Sequence, residues 1–156
     1  MNAQTASDSR AIALPDAMAT LAFGRRLGER IGPGDVVCLS GNLGAGKTTL
    51  ARGAIQAWTG RAEEAPSPTY TLVQTYDGDR GELWHCDLYR LKSPDEAFEI
   101  GLVDAFESAA CLIEWPERAA ALMPRDRLDV ALAPLGDGRR ATLTGVGAWR
   151  EKLEQI

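Results

Sequence analysis

The stretch VVCLSGNLGAGKTTL, residues 36–50, decides the fold. Residues 36–39 are a continuous apolar run rather than an alternating one, which is how a strand buried on both faces reads. After Ser40, residues 41–48 match the pattern G-x-x-x-x-G-K-[ST] position for position. Residues 48–58 then have helical length, and Thr59-Gly60 breaks them. Strand, glycine-rich loop and helix in this order predict the phosphate-binding unit of an α/β protein.

The chemistry of such a loop follows from its residue types. Gly41, Gly44 and Gly46, with Asn42, Leu43 and Ala45 between them, permit a wrap in which successive backbone N–H groups point inward. The helix that begins here adds the positive end of its dipole. Lys47 is expected to reach the β- and γ-phosphate oxygens and the Thr48 hydroxyl to ligate Mg²⁺, with Thr49 completing the contact set. A glycine-rich turn alone explains the glycines but not the lysine and threonine that follow.

Upstream, residues 1–10 are small and polar and read as a disordered tail, and residues 11–14 as a short edge strand. Pro15-Asp16 opens a helix whose Met18, Leu21, Leu27 and Ile31 fall on one half of its circumference. Gly24 and Gly28 lie on the same side and allow close packing, and residues 32–35 end it. Downstream, residues 63–68 read as loop. Residues 69–76 (TYTLVQTY) and 82–88 (ELWHCDL) read as strands joined by the turn at residues 77–81. Ser93-Pro94-Asp95-Glu96 resembles a helix start, with a short helix to about Ile100. Residues 110–114 (ACLIE) are a second doubly buried strand, followed by a Pro116-led helix to about Met123. Residues 128–134 and 140–146 bracket a turn at Gly136-Asp137-Gly138, before a terminal helix from Trp149. The fold class expected is a P-loop NTPase-like three-layer α/β sandwich with parallel central strands and antiparallel edge strands, as one domain over residues 11–156.

Composition narrows the partners. With 156 residues, 45% apolar and 25% charged, the chain has the material for a real core. Its formal charge of −5 argues against a broad DNA- or RNA-binding surface, because that affinity comes mainly from cations on phosphates. No apolar run approaches the roughly 20 residues that span a bilayer, so no membrane partner and a cytoplasmic location are expected. Cys38, Cys86 and Cys111 are widely spaced, each within or beside an apolar stretch, and read as buried small hydrophobes.

Hydrolysis or phosphoryl transfer also needs a carboxylate at the end of a strand beside the loop. Glu114 ends ACLIE, and Asp87 ends a strand within His85-Cys86-Asp87-Leu88-Tyr89-Arg90. Both are candidates to hold the magnesium shell. His85, the one histidine, is placed to orient Asp87, to act as acid or base, or to be structural. An Asn-Lys-x-Asp guanine-reading motif is absent, which favours an adenine nucleotide. A small-molecule kinase is the rival reading and would want lid arginines; Arg125-Asp126-Arg127 and Arg139-Arg140 adjoin edge strands and read as solvated surface charge. A nucleotide-dependent binding module without turnover is a third.

GNLGAGKTTLARG, Ser67-Pro68-Thr69-Tyr70-Thr71-Leu72-Val73, His85-Cys86-Asp87-Leu88-Tyr89-Arg90-Leu91 and Leu112-Ile113-Glu114-Trp115-Pro116-Glu117 together resemble the bacterial TsaE (YjeE) family, from about Leu14 to Leu135. The resemblance implies a P-loop ATPase of tRNA threonylcarbamoyladenosine (t6A37) biosynthesis. Its expected cofactors are ATP and Mg²⁺ and its expected partners TsaD and TsaB, with tRNA engaged indirectly through that pair. Hydrolysis is expected to reset the transferase assembly between turnovers. By the same resemblance Lys47, Asp87 and Glu114 are the catalytic residues, and Thr48, Asp87 and Glu114 the metal-holding ones. Thr69 and Thr71 sit where a switch-like loop would sense the γ-phosphate, Trp115 lies against the nucleotide, and Thr20 matches a threonine near the adenine. Residues after Gly136 match no motif.

Overall fold

Val36–Ser40 (β2) lies at the centre of a seven-stranded sheet of order β1-β7-β6-β2-β5-β4-β3 in the computed structural model, which describes residues 9–156. The other strands are β1 (Ser9–Leu14), β3 (Val73–Gly78), β4 (Gly81–Asp87), β5 (Ala110–Glu114), β6 (Arg127–Leu135) and β7 (Gly138–Val146). β2 pairs in parallel with β5 and β6, and β5 in parallel with β4. β3–β4, β6–β7 and β1–β7 are antiparallel. Parallel centre and antiparallel edges are as expected, and the apolar runs of β2 and β5 are buried on both faces.

Two layers of helix cover the sheet. On one face α1 (Ala17–Arg30) and α2 (Lys47–Thr59) enclose a core that includes Leu27, Leu39, Leu50, Ile55 and Leu112. On the other, α3 (Pro94–Glu99), α4 (Leu102–Ser108) and a 3₁₀ segment (Pro116–Leu122) close a core around Val36, Leu88, Leu102 and Ile113. α5 (Trp149–Lys152) follows β7 and buries Trp149.

Local chemistry explains the boundaries. Asp16 caps α1, its carboxylate accepting from the Ala19 N–H at 2.8 Å. At the other end Arg80, from the β3–β4 turn, donates to the carbonyls of Gly28 at 2.7 Å and of Ile31, supplying a cation where the helix dipole is negative. The same guanidinium stacks 4.3 Å over the Trp58 ring, while the Trp58 indole N–H donates to the Gly81 carbonyl at 2.9 Å. The turn thus fastens both helices of this layer. Gly24 and Gly28 do permit close helix packing: a Cβ there would lie 2.1 Å from the Leu50 carbonyl oxygen and 2.4 Å from that of Ala54.

Several expectations change. Ser9 and Arg10 belong to β1, so only residues 1–8 of the expected tail remain, and these lie outside the described residues. Residues 69–72 are turn rather than strand: Leu72 takes a left-handed φ of 71°, its N–H bonds the Pro68 carbonyl at 2.8 Å, and the threonine side chains turn to local polar partners. The β-rich composition of TYTLVQTY is overridden there by the site below. The Pro116-led helix is a 3₁₀ segment broken at Ala119, and α4, which starts at Gly101 in the left-handed region, was not anticipated. Met18 is 79% exposed, and Phe23 is buried in the α1 face instead. The three cysteines are free and buried as read, and burial pushes Cys38 and Cys111 up to about 12 and Cys86 well above its ordinary value. Among the described residues no helix is long and apolar enough to cross a membrane.

Candidate functional site

The C-terminal ends of β2, β4 and β5 meet at one place. β2 delivers the chain into the glycine loop, whose Gly41, Gly44 and Gly46 have φ of 142°, 80° and 103°. These values belong to glycine and let the loop wrap tightly. The Ala45 N–H bonds the Asn42 carbonyl at 3.0 Å inside the wrap, and Gly46 opens α2. Leu43 stands 69% exposed at the tip. Lys47 is 4% exposed and folds back, its Nζ donating to the carbonyls of Gly41 at 2.5 Å and Asn42 at 3.0 Å. The ammonium lies 4.2 Å from the centroid of the Trp115 ring. Burial pushes its pKa below the usual lysine range, against the pull of Glu114, Glu117 and Asp87.

Register brings the two acids side by side. Asp87 on β4 is the Cα partner of Glu114 on the adjacent parallel strand β5, and both are buried, at 4% and 2% exposure. Thr48 Oγ1 donates to both Glu114 oxygens, at 3.1 and 3.2 Å. Asp87 accepts from Ser67 Oγ at 2.5 Å, Thr69 Oγ1 at 3.1 Å and the Tyr89 N–H at 2.9 Å. Ser67 also lies 3.5 Å from Glu114 Oε2, so one hydroxyl spans the pair. Two adjacent buried carboxylates beside a phosphate loop repel one another unless a cation shares them. Two carboxylates and a hydroxyl are hard oxygen donors of the kind a small divalent ion takes, and bound phosphate and water would complete its shell.

Of the roles left open for His85, orienting Asp87 is not the one its contacts show. The histidine is fully buried and pairs not with Asp87 but with Glu114, Nε2 to Oε2 at 2.7 Å. Strand pleat explains this: His85 is in register with Leu112, two residues before Glu114, and reaches along the strand to it. An ionised Glu114 only accepts, so the proton belongs on Nε2; Nδ1 is buried with no partner among the described residues.

A cavity of about 380 Å³ opens over these groups, lined by loop residues from Leu43 to Thr49 together with Ser67, Thr69, Asp87, Tyr89, Arg90, Glu114 and Trp115. Trp115, with a left-handed φ of 60°, packs its ring 4.8 Å from Tyr89. Thr71 is not brought here; its hydroxyl bonds the Val73 carbonyl. A second cavity of about 270 Å³ lies across the loop, where buried Thr20, Thr49 and Arg139 converge. Of the arginines read as surface charge, Arg127 pairs with Asp129 at 3.0 Å, but Arg139 is half-buried and bonded to the glycine loop. Ser67, Tyr89, Arg90 and Arg139 are contributors to which sequence reasoning gave no site role. Ser67 sat within a recognised motif; Arg139 carried no signal, because only the fold takes it there.

A doubly covered sheet with parallel centre, and a G-x-x-x-x-G-K-T loop between β2 and α2 facing two strand-end acids, define a P-loop NTPase-like α/β protein. Comparisons specify it further. Residues 14–142 match the family model "Threonylcarbamoyl adenosine biosynthesis protein TsaE". The chain is 40% identical over 118 residues to the tRNA threonylcarbamoyladenosine biosynthesis protein TsaE of Rickettsia bellii, covering 76% of this chain and 82% of that one. It is 37% identical over 123 residues to the protein of the same name from Bacillus subtilis, covering 78% and 76%. The crystal structure of Bacillus subtilis YdiB superposes with a TM-score of 0.75 at 29% identity, covering 94% of this chain and 92% of that one. The chain belongs to the TsaE family of tRNA threonylcarbamoyladenosine biosynthesis.

Proposed function

We propose that this protein is the ATPase of t6A37 modification, binding Mg-ATP on its glycine loop and using hydrolysis to reset a TsaD–TsaB threonylcarbamoyl transferase assembly in the cytoplasm. The observation that carries the reading is the Asp87–Glu114 register at the mouth of the loop, which sets two buried carboxylates beside Thr48. Thr48, Asp87 and Glu114 would hold Mg²⁺, which when bound neutralises charge on the phosphate oxygens.

The chain's own residues do the rest. Backbone N–H groups of the loop and the start of α2 hold the phosphates, and Lys47 exchanges its two loop carbonyls for β- and γ-phosphate oxygens. The cavity at Thr20 and Thr49, across the loop, would take the base and sugar. His85 and Ser67 keep the acids oriented, so that one carboxylate remains available to orient the attacking water. Thr69, hydrogen-bonded to Asp87, ties the 65–72 loop to the phosphate end of the site. Among the described residues Arg90 is the arginine that lines this cavity, and its guanidinium stacks 4.6 Å from the centroid of the Tyr70 ring rather than bonding the loop. Turnover by the protein alone is therefore slow, its transition state short of charge stabilisation until the partner pair completes the site.

Phosphate release from Mg-ATP, measured with and without TsaD and TsaB and alongside repeated rounds of tRNA modification, tests the reading. Stimulation by the pair is expected. Fast hydrolysis by the protein alone, or no effect of the pair on either readout, would overturn it and direct attention to a metabolite acceptor.

A further inference from the structure

We infer that Arg139 is a positioning residue of the phosphate loop, so that the turn between β6 and β7 is a working part of the nucleotide site. The inference rests on the nucleotide reading above and assigns a role to a segment in which the sequence shows no motif. Gly138 brings the turn against the β1–α1 junction: a Cβ there would lie 2.4 Å from the Leu14 carbonyl oxygen and 2.6 Å from that of Pro15. From this close seat the Arg139 guanidinium reaches the loop. Nε donates to the Ala45 carbonyl at 3.0 Å and Nη2 to the Gly44 carbonyl at 2.9 Å, while Nη1 is held by the Gly138 carbonyl at 2.9 Å.

The consequence for binding comes from peptide planarity. The Ala45 carbonyl and the Gly46 N–H project from opposite sides of one rigid unit, so fixing the first fixes the direction of the second. The two clamped peptide units lie between Gly44 and Gly46, both with left-handed φ, where the chain is least constrained by its own side chains. A fork that donates to two neighbouring carbonyls orders these units before any anion arrives, which lowers the entropy cost of binding. Arg139 also lines the second cavity beside Thr20 and Thr49, so the clamp and the cavity share one wall.

The test compares the wild type with Arg139→Ala, Arg139→Lys and Arg140→Ala. The last removes the same charge from an exposed neighbour. Calorimetric Kd for ATP and ADP, KM and kcat for hydrolysis, and the ligand-free Tm are measured on each. Arg139→Ala is expected to raise Kd and KM about tenfold or more, with kcat changed far less. Arg139→Lys, a point charge in place of a fork, should fall between, and Arg140→Ala should match the wild type. Wild-type affinity in Arg139→Ala overturns the inference, as does an equal loss in Arg140→Ala. Should Arg139→Ala not fold, unchanged affinity in Arg139→Lys overturns it as well. If the wild type itself takes up neither nucleotide, the reading of the site fails, and the inference fails with it.

Discussion

Replacing Glu114 by glutamine separates what this carboxylate does for chemistry from what it does for the fold. The amide has nearly the same volume, and its carbonyl oxygen still accepts from His85, so the substitution mainly deletes a charge at a position 2% exposed and next to buried Asp87. Removing one fixed electrostatic contributor from such a site costs about 2.7–4 kcal/mol, roughly 10²–10³ in turnover. The ligand-free protein should be no less stable, because one of two adjacent buried like charges has gone. Ligand linkage supplies the second readout. At about 100 Kd a bound ligand adds about 2.7 kcal/mol, or roughly 5–11 °C in Tm for a chain of this size. In the wild type ATP should raise Tm more with Mg²⁺ than with EDTA; in Glu114→Gln that difference should shrink toward zero while the EDTA value persists. Thermal denaturation and phosphate release measure both. Turnover within about threefold of the wild type, or a ligand-free Tm lower by about 10 °C, would refute the reasoning.

Other outcomes follow from the same geometry. Lys47→Ala should weaken ATP binding about a hundredfold or more by calorimetry, the loss of two charge-assisted contacts at about 1.5–3 kcal/mol each; an affinity equal to that of Glu114→Gln would contradict this division of roles. Gly28→Ala places a Cβ 2.4 Å from the Ala54 carbonyl oxygen and should cost about 1–3 kcal/mol in denaturant unfolding, more than the helix propensity of alanine returns. The cysteines should resist alkylation at pH 8 until denaturant is added. Because folding raises the Cys38 and Cys111 values to about 12, their contribution to stability is complete below the unfolded thiol range and is lost as pH climbs from about 9 toward 12. Stability unchanged across that window would show that the thiols reach solvent.

The parts of the fold legible in sequence are those fixed by near neighbours. Val36–Ser40 and Ala110–Glu114 declare themselves by unbroken apolar runs, the loop by its spacing, and both hairpins by their turns. What escaped depends on register or on distant partners. His85 meets Glu114 rather than Asp87 because β4 lies parallel to β5, which no local pattern reports. Residues 69–72 have strand composition, yet Asp87 draws Thr69 into the site and the Leu72 carbonyl takes the Asp87 N–H at 3.0 Å. Arg139 and Gly44 are far apart in the chain and meet because β6 lies beside β2.

The pairing of β1 with β7 also dictates an order of events on the ribosome. Among the described residues the strand that pairs with Ser9–Leu14 is Gly138–Val146, which is made far later in the chain. Until β7 emerges, β1 has no strand to pair with among the described residues, and the β6 edge stays open. At elongation rates of about 5–20 residues per second, the first strand therefore waits several seconds for its partner. The nascent chain can collapse around β2, α2 and the strands between, but its sheet is sealed only once β7 has been made.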